Sequence, residues 1–355
     1  MAGMKCFRAV VFGLAYAAVV AAQANDSVSS AEVAAAPLDE IMLKNGSRIL
    51  GTVISARDGV IVIETDFSTA IKIDADRIDS IHTRGSMTVL MNDGSTIRDQ
   101  RIVVDESGIV VTADDGSQRY YSASDFQVLN PEAWELGDGY KAFGLLSVAW
   151  ALEKGNTVTD ELDFKVESYW RSLEDRYTLK LIGEIDEANG VKNADNMLLV
   201  GKYDYFLAGA NYWGGKFAAK QDEFADLDLR AYIGPYYGRQ FYERPIFTFS
   251  GEFGVAYVKE DFIVAENQQY PGVHWEINFT SDYLGGDSRL YIEQSGLWNL
   301  QDTADIVLNT TFGLSFPLLG NLEAAAEILL EYDSGAVKDV EELDETYKLR
   351  IGYTW

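Results

Sequence analysis

Cysteine, histidine and proline are scarce in this sequence, with one, two and six copies in 355 residues. A disulfide framework needs at least two cysteines, so none is available. The single Cys6 lies ahead of the first apolar run, where a lipoprotein acylation site cannot sit. The two histidines, His82 and His274, are far apart in the chain, and neither stands in a metal-ligand spacing. Basic charge is also thin: 29 Lys and Arg face 56 Asp and Glu, for a net charge of −27. Such a chain repels phosphate backbones, which argues against a nucleic-acid partner. Finally, no apolar run reaches the roughly 20 residues of a membrane-spanning helix. Any insertion into a bilayer must therefore use strands closed into a barrel.

The first residues read as an export signal. Lys5 and Arg8 give a basic start, and Ala9 to Ala22 form an apolar run broken only by Gly13. Ala22-Gln23-Ala24 supplies the small residues a signal peptidase needs. Residues 1–24 are thus expected to leave, taking Cys6 with them. Residues 25–37, rich in Ala and Ser, read as a flexible leader.

An internal repeat fills residues 38–130. Leu43-Lys44-Asn45-Gly46-Ser47, Gly59-Val60-Ile61-Val62-Ile63 and Arg77-Ile78-Asp79-Ser80-Ile81 make the first unit. Leu90-Met91-Asn92-Asp93-Gly94-Ser95, Gly108-Ile109-Val110-Val111-Thr112 and Asp125-Phe126-Gln127-Val128-Leu129 answer it about 48 residues later. An Asn/Asp-Gly step between alternating segments is a hairpin signal, so each unit is expected to fold as a small curled sheet, the two sharing one core. The leucine, x, Asn/Asp, Gly, Ser pattern resembles small Sm-like or SH3-like β modules. Two readings are open for them: a periplasmic binding module for a peptide, a glycan or another envelope protein, or a spacer or plug with no ligand. His82 is expected in a solvated loop, and Asp74 with Asp76 is too few oxygens for a calcium site.

From residue 134 to 355 the pattern is long alternating strands. Tyr347, Leu349, Ile351, Tyr353 and Trp355 share one face of the last, with Lys348, Arg350, Gly352 and Thr354 on the other. Phe247, Phe249, Phe253, Val255 and Tyr257 oppose Thr248, Ser250 and Glu252 in the same way. About twelve such segments follow Tyr140, an even number suited to a bacterial outer-membrane barrel. The fold class is therefore all-β, a transmembrane antiparallel barrel behind a tandem β module. Trp150, Trp170, Trp298 and Trp355 stand at strand ends, where interfacial girdles sit. Short turns are expected near Leu173-Glu174-Asp175, Leu207-Ala208-Gly209, Gly285-Gly286 and Pro317 to Gly320. Longer connections are expected near Glu187 to Ala194, Glu260 to Pro271 and Ser334 to Glu345, facing outside with the module in the periplasm.

From about Glu135 the chain resembles a family of salt-induced outer-membrane proteins (YdiY-like, a domain of unknown function). The residues that carry this are Gly155-Asn156-Thr157, Lys202-Tyr203-Asp204-Tyr205, Asp226-Leu227-Asp228-Leu229-Arg230 with Gly234 and Gly238, and the Gly352-Tyr353-Thr354-Trp355 ending. The family more often closes on Phe, and Trp355 keeps the aromatic character. The resemblance implies an outer-membrane location and a role under salt or osmotic stress. It brings no catalytic residue and no cofactor. The expected partners are outer-membrane lipid and, through the strand ending at Trp355, the barrel assembly machinery.

The lumen face is where function is expected. Glu167, Glu184, Glu252, Glu276, Glu327 and Glu331 should point inward, interleaved with Lys202, Arg230, Lys348 and Arg350. Asp186, Asp204, Asp282, Glu293, Lys165 and Lys180 belong to the same face. Two readings are open: a narrow, cation-preferring pore with unbalanced carboxylates, or a non-conducting adaptor barrel filled by salt bridges. An enzyme is not expected, because His274 is the only barrel histidine and is read as a solvated lumen histidine, pointing away from lipid.

Overall fold

The computed structural model describes residues 38–355, apart from 58, 106–107, 113–115, 123–124, 155–157, 190, 208–209, 245–246, 286–287 and 337–339. The expected export signal, the leader and the Gly155-Asn156-Thr157 turn lie outside the described residues. The described chain falls into two compact units, one ending at Gly139 and the other running from Tyr140 to Trp355. Among the described residues no helix is long and apolar enough to cross a membrane.

Each sequence unit of the first region yields five strands. They are β1 (Asp39–Leu43), β2 (Arg48–Arg57), β3 (Val60–Thr65), β4 (Ser68–Asp74) and β5 (Ile78–His82), then β6 (Met87–Met91), β7 (Thr96–Asp105), β8 (Gly108–Thr112), β9 (Gln118–Tyr121) and β10 (Phe126–Leu129). The turns repeat as the sequence does. Gly46 and Gly94 take the left-handed conformation, φ 83° and 81°, which glycine adopts without a Cβ penalty. Asn45 Oδ1 and Asp93 Oδ1 each accept the backbone N–H two residues on, from Ser47 and Ser95, at 2.9 Å.

The two units do not close separately. β5 pairs with β7 of the second unit, and β10 pairs with β2 of the first, so β1-β5-β7-β6-β10-β2 runs as a ring closed by β1–β2. β3 and β4 extend from β2, and β8 and β9 from β7. Inside, Ile41, Ile63, Val53, Val89 and Ile102 are shut off from solvent. A short unit cannot bury both its faces alone, and exchanging strands lets two of them share one core. His82 ends β5 in an exposed position, on a strand rather than in a loop.

The second region is a closed barrel of twelve antiparallel strands. They are β11 (Lys141–Lys154), β12 (Val158–Arg171), β13 (Asp175–Ala188), β14 (Val191–Phe206), β15 (Asn211–Asp222), β16 (Leu227–Arg244), β17 (Phe247–Phe262), β18 (Gln268–Ser281), β19 (Arg289–Asn299), β20 (Ile306–Pro317), β21 (Leu322–Asp333) and β22 (Leu343–Thr354). Strands of this length cross a hydrocarbon layer at a tilt, which takes about 9–11 residues. Phe253, Val255, Tyr257, Phe312, Leu349 and Ile351 stand outward and exposed, while Lys, Glu and Asp turn inward. Exposed apolar walls around a charged interior are the signature of a transmembrane barrel.

The start of β11 and the end of β22 lie at one end of the barrel, here the proximal end. An aromatic belt runs around it. Tyr140, Tyr177 and Tyr203 touch in series at 6.0 and 5.0 Å between centroids. Trp213 then packs on Tyr237, Phe241 on Phe249, and Phe247 on Phe279. The short turns over 172–174 and 318–321 fall where expected, and other connections differ. Glu187 to Ala194 is a tight hairpin, because β13 runs to Ala188 and β14 starts at Val191. Gly285-Gly286 sits in a longer proximal connection over 282–288, so lengths do not separate the ends cleanly. The distal connection over 334–342 keeps the expected length.

Candidate functional site

The site is the lumen, built by the inward-facing alternate residues of all twelve strands. At its centre Lys202 of β14 reaches Glu252 of β17 at 2.6 Å and Glu276 of β18 at 3.3 Å. Lys216 of β15 meets the same Glu276 at 3.0 Å. Beside them Arg176 holds Asp204 at 2.7 Å. A second cluster joins Lys165, Lys180 and Glu167, with Arg350 on Glu327 at 2.6 Å. Toward the distal end Lys348 bridges Asp163 and Glu184 at 2.8 and 2.9 Å. Arg230 binds Glu260 and, at 2.9 Å, Asp333.

Two pairs span the full width of the barrel. Lys180 on β13 reaches Glu293 on β19 at 3.1 Å, and Lys220 on β15 reaches Glu331 on β21 at 3.0 Å. In each case the two strands stand half the ring apart in either direction. Lys180 lies toward the proximal end and Lys220 toward the distal end, so the lumen is crossed at two levels. Every one of the ten sequence-derived lumen residues takes part in this network: Glu167, Glu184, Lys202, Arg230, Glu252, Glu276, Glu327, Glu331, Lys348 and Arg350. Asp282 lies elsewhere. It falls in the connection after β18, beyond the strand that would have turned it inward.

Tyrosines complete the network, and the sequence reading missed them. Tyr212 donates to Glu252 at 2.9 Å, Tyr291 to Glu327 at 2.6 Å, Tyr270 to Glu260 at 3.0 Å, and Tyr236 to Asp204. Three of these rings lie over the glycine paired with them on the next strand: Tyr212 on Gly238, Tyr236 on Gly214 and Tyr291 on Gly313. A Cβ at those glycines would fall 2.0–2.2 Å from the ring. Inward Tyr opposite inward Gly is a pattern that register alone could have revealed. Lys216, Lys220, Arg176 and Glu260 were also missed.

His274 corrects an expectation. It points inward but is 1% exposed, packed 5.9 Å from both Tyr232 and Tyr236, so it is not a solvated histidine. Its Nε2 has no hydrogen-bond partner among the described residues.

What space remains is divided. A cavity of about 410 Å³ lies toward the proximal end, lined by residues including Arg171, Arg176, Thr248, Thr280, Arg289 and Thr354. Its walls carry seven cations (Lys165, Arg171, Arg176, Lys180, Lys202, Arg289, Arg350) and six carboxylates (Glu167, Glu252, Glu276, Glu293, Glu323, Glu327). A smaller distal cavity of about 50 Å³ is lined by Asp222, Glu331, Asp333, Glu341, Glu342 and Asp344 against Lys220 and Arg230. The acid excess expected of the whole lumen face is therefore confined to the distal end. Among the described residues no cluster of three or more His, Cys, Asp or Glu fits a metal ion.

No curated protein matches the chain. Several solved structures are similar to it. One is a NanC porin, 11% identical, with 60% of this chain and 98% of that one covered at a TM-score of 0.38. Another is the translocator domain of the autotransporter NalP from Neisseria meningitidis, also 11% identical, covering 62% and 88% at 0.35. The outer-membrane channel DcaP of Acinetobacter baumannii, 11% identical, covers 90% and 94% at 0.31. Residues 146–355 match the family described as "Protein of unknown function, DUF481", and the chain belongs to that family.

Proposed function

We propose that this protein is a bacterial outer-membrane barrel closed to solutes by its own ion pairs, and that it anchors the N-terminal β module for docking in the periplasm. The observation that carries this is the pair of full-width bridges, Lys180–Glu293 and Lys220–Glu331, at two levels. A hydrated solute would have to break both. The apolar outer wall and the aromatic belt support the membrane location. The module supports the docking role with an apolar cavity of about 380 Å³ lined by Ile61, Ile81, Ile102, Val104, Ile109 and Phe126. A cleft of that size and lining suits an apolar segment of an envelope protein better than a glycan, whose hydroxyls would lose hydrogen bonds there. A barrel assembly factor would read the strand ending at Trp355, which closes on Gly144 by two backbone hydrogen bonds of 3.2 Å.

The test is a planar bilayer with a salt gradient across it. A heat-modifiable, inserted protein that stays silent is the expected result. Stepwise conductance in the unmodified protein would overturn the closed reading. A second reading, the narrow cation-preferring pore, is favoured by the acidic distal end. It expects a cation-selective reversal potential that Glu331→Gln with Asp344→Asn reduces. The link to salt or osmotic stress rests on family resemblance, and growth of a deletion strain in high salt tests it.

A further inference from the structure

The β11–β22 closure differs from every other seam of the barrel. Among the described residues, all other neighbouring strands of the barrel pair over ten or more register positions. β11 and β22 pair only from Leu145↔Thr354 to Val148↔Ile351, below which Gly144 and Trp355 exchange their hydrogen bonds. Past Val148, β11 continues to Lys154, and ahead of Ile351, β22 reaches back to Leu343, with no register between them among the described residues. The outward side chains of β22 record the gap. Leu349 is 79% exposed and Tyr347 71%, against 62% for Ile233 and 61% for Phe253 on fully paired strands. Unpaired strand edges facing hydrocarbon cost several kcal/mol per polar group. A gap at this depth therefore calls for an occupant.

Side chains, not backbone, hold this region together. Lys348 of β22 passes over β11 to reach Asp163 on β12 and Glu184 on β13, and Arg350 lies 3.8 Å from Asp163. Where the ladder stops, two polar atoms are buried without hydrogen-bond partners among the described residues: Ser147 Oγ on β11 and Arg350 Nη1 on β22. Both residues line the 410 Å³ cavity. An unmet guanidinium N–H and an unmet hydroxyl lining one cavity are a donor set for a carboxylate or phosphate oxygen. Directly outside stand Leu146, Val148, Tyr347 and Leu349, an apolar flank.

We propose that the β11–β22 seam is a lateral portal for an anionic amphiphile. Its headgroup lies in the cavity against Arg350 and Ser147, and its alkyl chain leaves between the strands into the bilayer. The portal rests on the membrane placement above and is independent of the docking role of the module. It is compatible with a lumen closed to water-soluble solutes, because the route is sideways rather than along the axis.

The test uses the full chain, refolded into phosphatidylcholine vesicles with photoactivatable probes and mapped by mass spectrometry. The probes are diazirine palmitate, a diazirine-tailed lysophosphatidic acid and an uncharged diazirine alkyl glycerol. Labelling by an anionic probe should concentrate on residues 146–152 and 345–351 relative to Phe253 and Val255 on β17. Preference for palmitate would identify a free fatty acid as the source, and preference for the phosphate a lysophospholipid. Replacing the pair together, Arg350→Gln with Glu327→Gln, should cut that excess about tenfold, the worth of one charge-assisted contact. Ser147→Val, which leaves the ion pairs intact, should lower it as well. Even labelling around the barrel would overturn the portal. So would an equal excess for the uncharged probe, or an excess that both variants leave unchanged. Heat-modifiable mobility reads insertion separately, and a chain that fails to insert overturns the membrane placement itself.

Discussion

In the N-terminal module the buried core is chiefly isoleucine, valine and methionine; in the barrel lysine, glutamate and tyrosine are buried beside a few apolar residues such as Val258 and Leu297. Ile41, Ile63 and Val89 are fully buried in the first. Asp204, Glu252, Lys216 and Arg350 are nearly so in the second. Both regions use the same two-residue alternation. On the membrane placement proposed above, what differs is the medium outside, water for one and hydrocarbon for the other, and each region turns the opposite face toward it. The barrel interior then has to be satisfied by charge, and a filled barrel of this size does so with chords across its own lumen. The module can close with bulk hydrophobic burial, which needs no directional partners.

That contrast can be broken from either side, most severely in the lumen. Lys202→Met leaves Glu252 and Glu276 facing each other with one partner fewer, and should cost about 3–5 kcal/mol. The temperature at which the barrel loses its compact gel mobility should fall, with the module's near-ultraviolet signal unchanged. Next, Ile63→Ala should cost the module about 2–5 kcal/mol by opening a cavity. Its signature in a protease-protection assay is loss of residues 38–130 while the barrel stays resistant.

On the outer wall, Phe253→Arg should cost about 2–4 kcal/mol if that position lies near the bilayer midplane. Reversible folding into vesicles measures it, and a neutral outcome would mean that the wall does not meet lipid there. The smallest effect is expected at the proximal rim. Arg289 and Glu323 are 3.7 Å apart with Arg289 substantially exposed, and such pairs are worth about 0–1 kcal/mol. Arg289→Gln should therefore leave the unfolding midpoint nearly unmoved, and raised salt should do the same. A large shift would place that pair in the same class as Lys202.

Much of this fold was readable in the sequence, for identifiable reasons. Strand alternation in residues such as Tyr347 to Trp355 reports which side chains share a face, whatever the fold. Strand length and scarcity of helix-spanning runs then select a barrel. The same alternation placed ten lumen charges inward. It could not say which of them meet, because Lys180 and Glu293 are 113 residues apart and meet only across the closed ring. Lys216 and Lys220 escaped notice because Gly214, Gly215, Ala218 and Ala219 blur the apolar–polar contrast around them. The hairpin at Asn189 was hidden for a similar reason, since polar strand ends such as Val191-Lys192-Asn193 read as loop.

The class of each region was written in the chain itself, because period-two patterning and turn residues act locally and leave their mark in consecutive letters. So were the repeat and the inward set of charges. Three features arose only once the fold closed: the exchange of strands between the two repeat units, the chords that close the lumen, and the short ladder between β11 and β22. Each depends on which strand lies beside or opposite which after closure. That is a long-range geometric choice, set by ring size and register, and no local pattern encodes it.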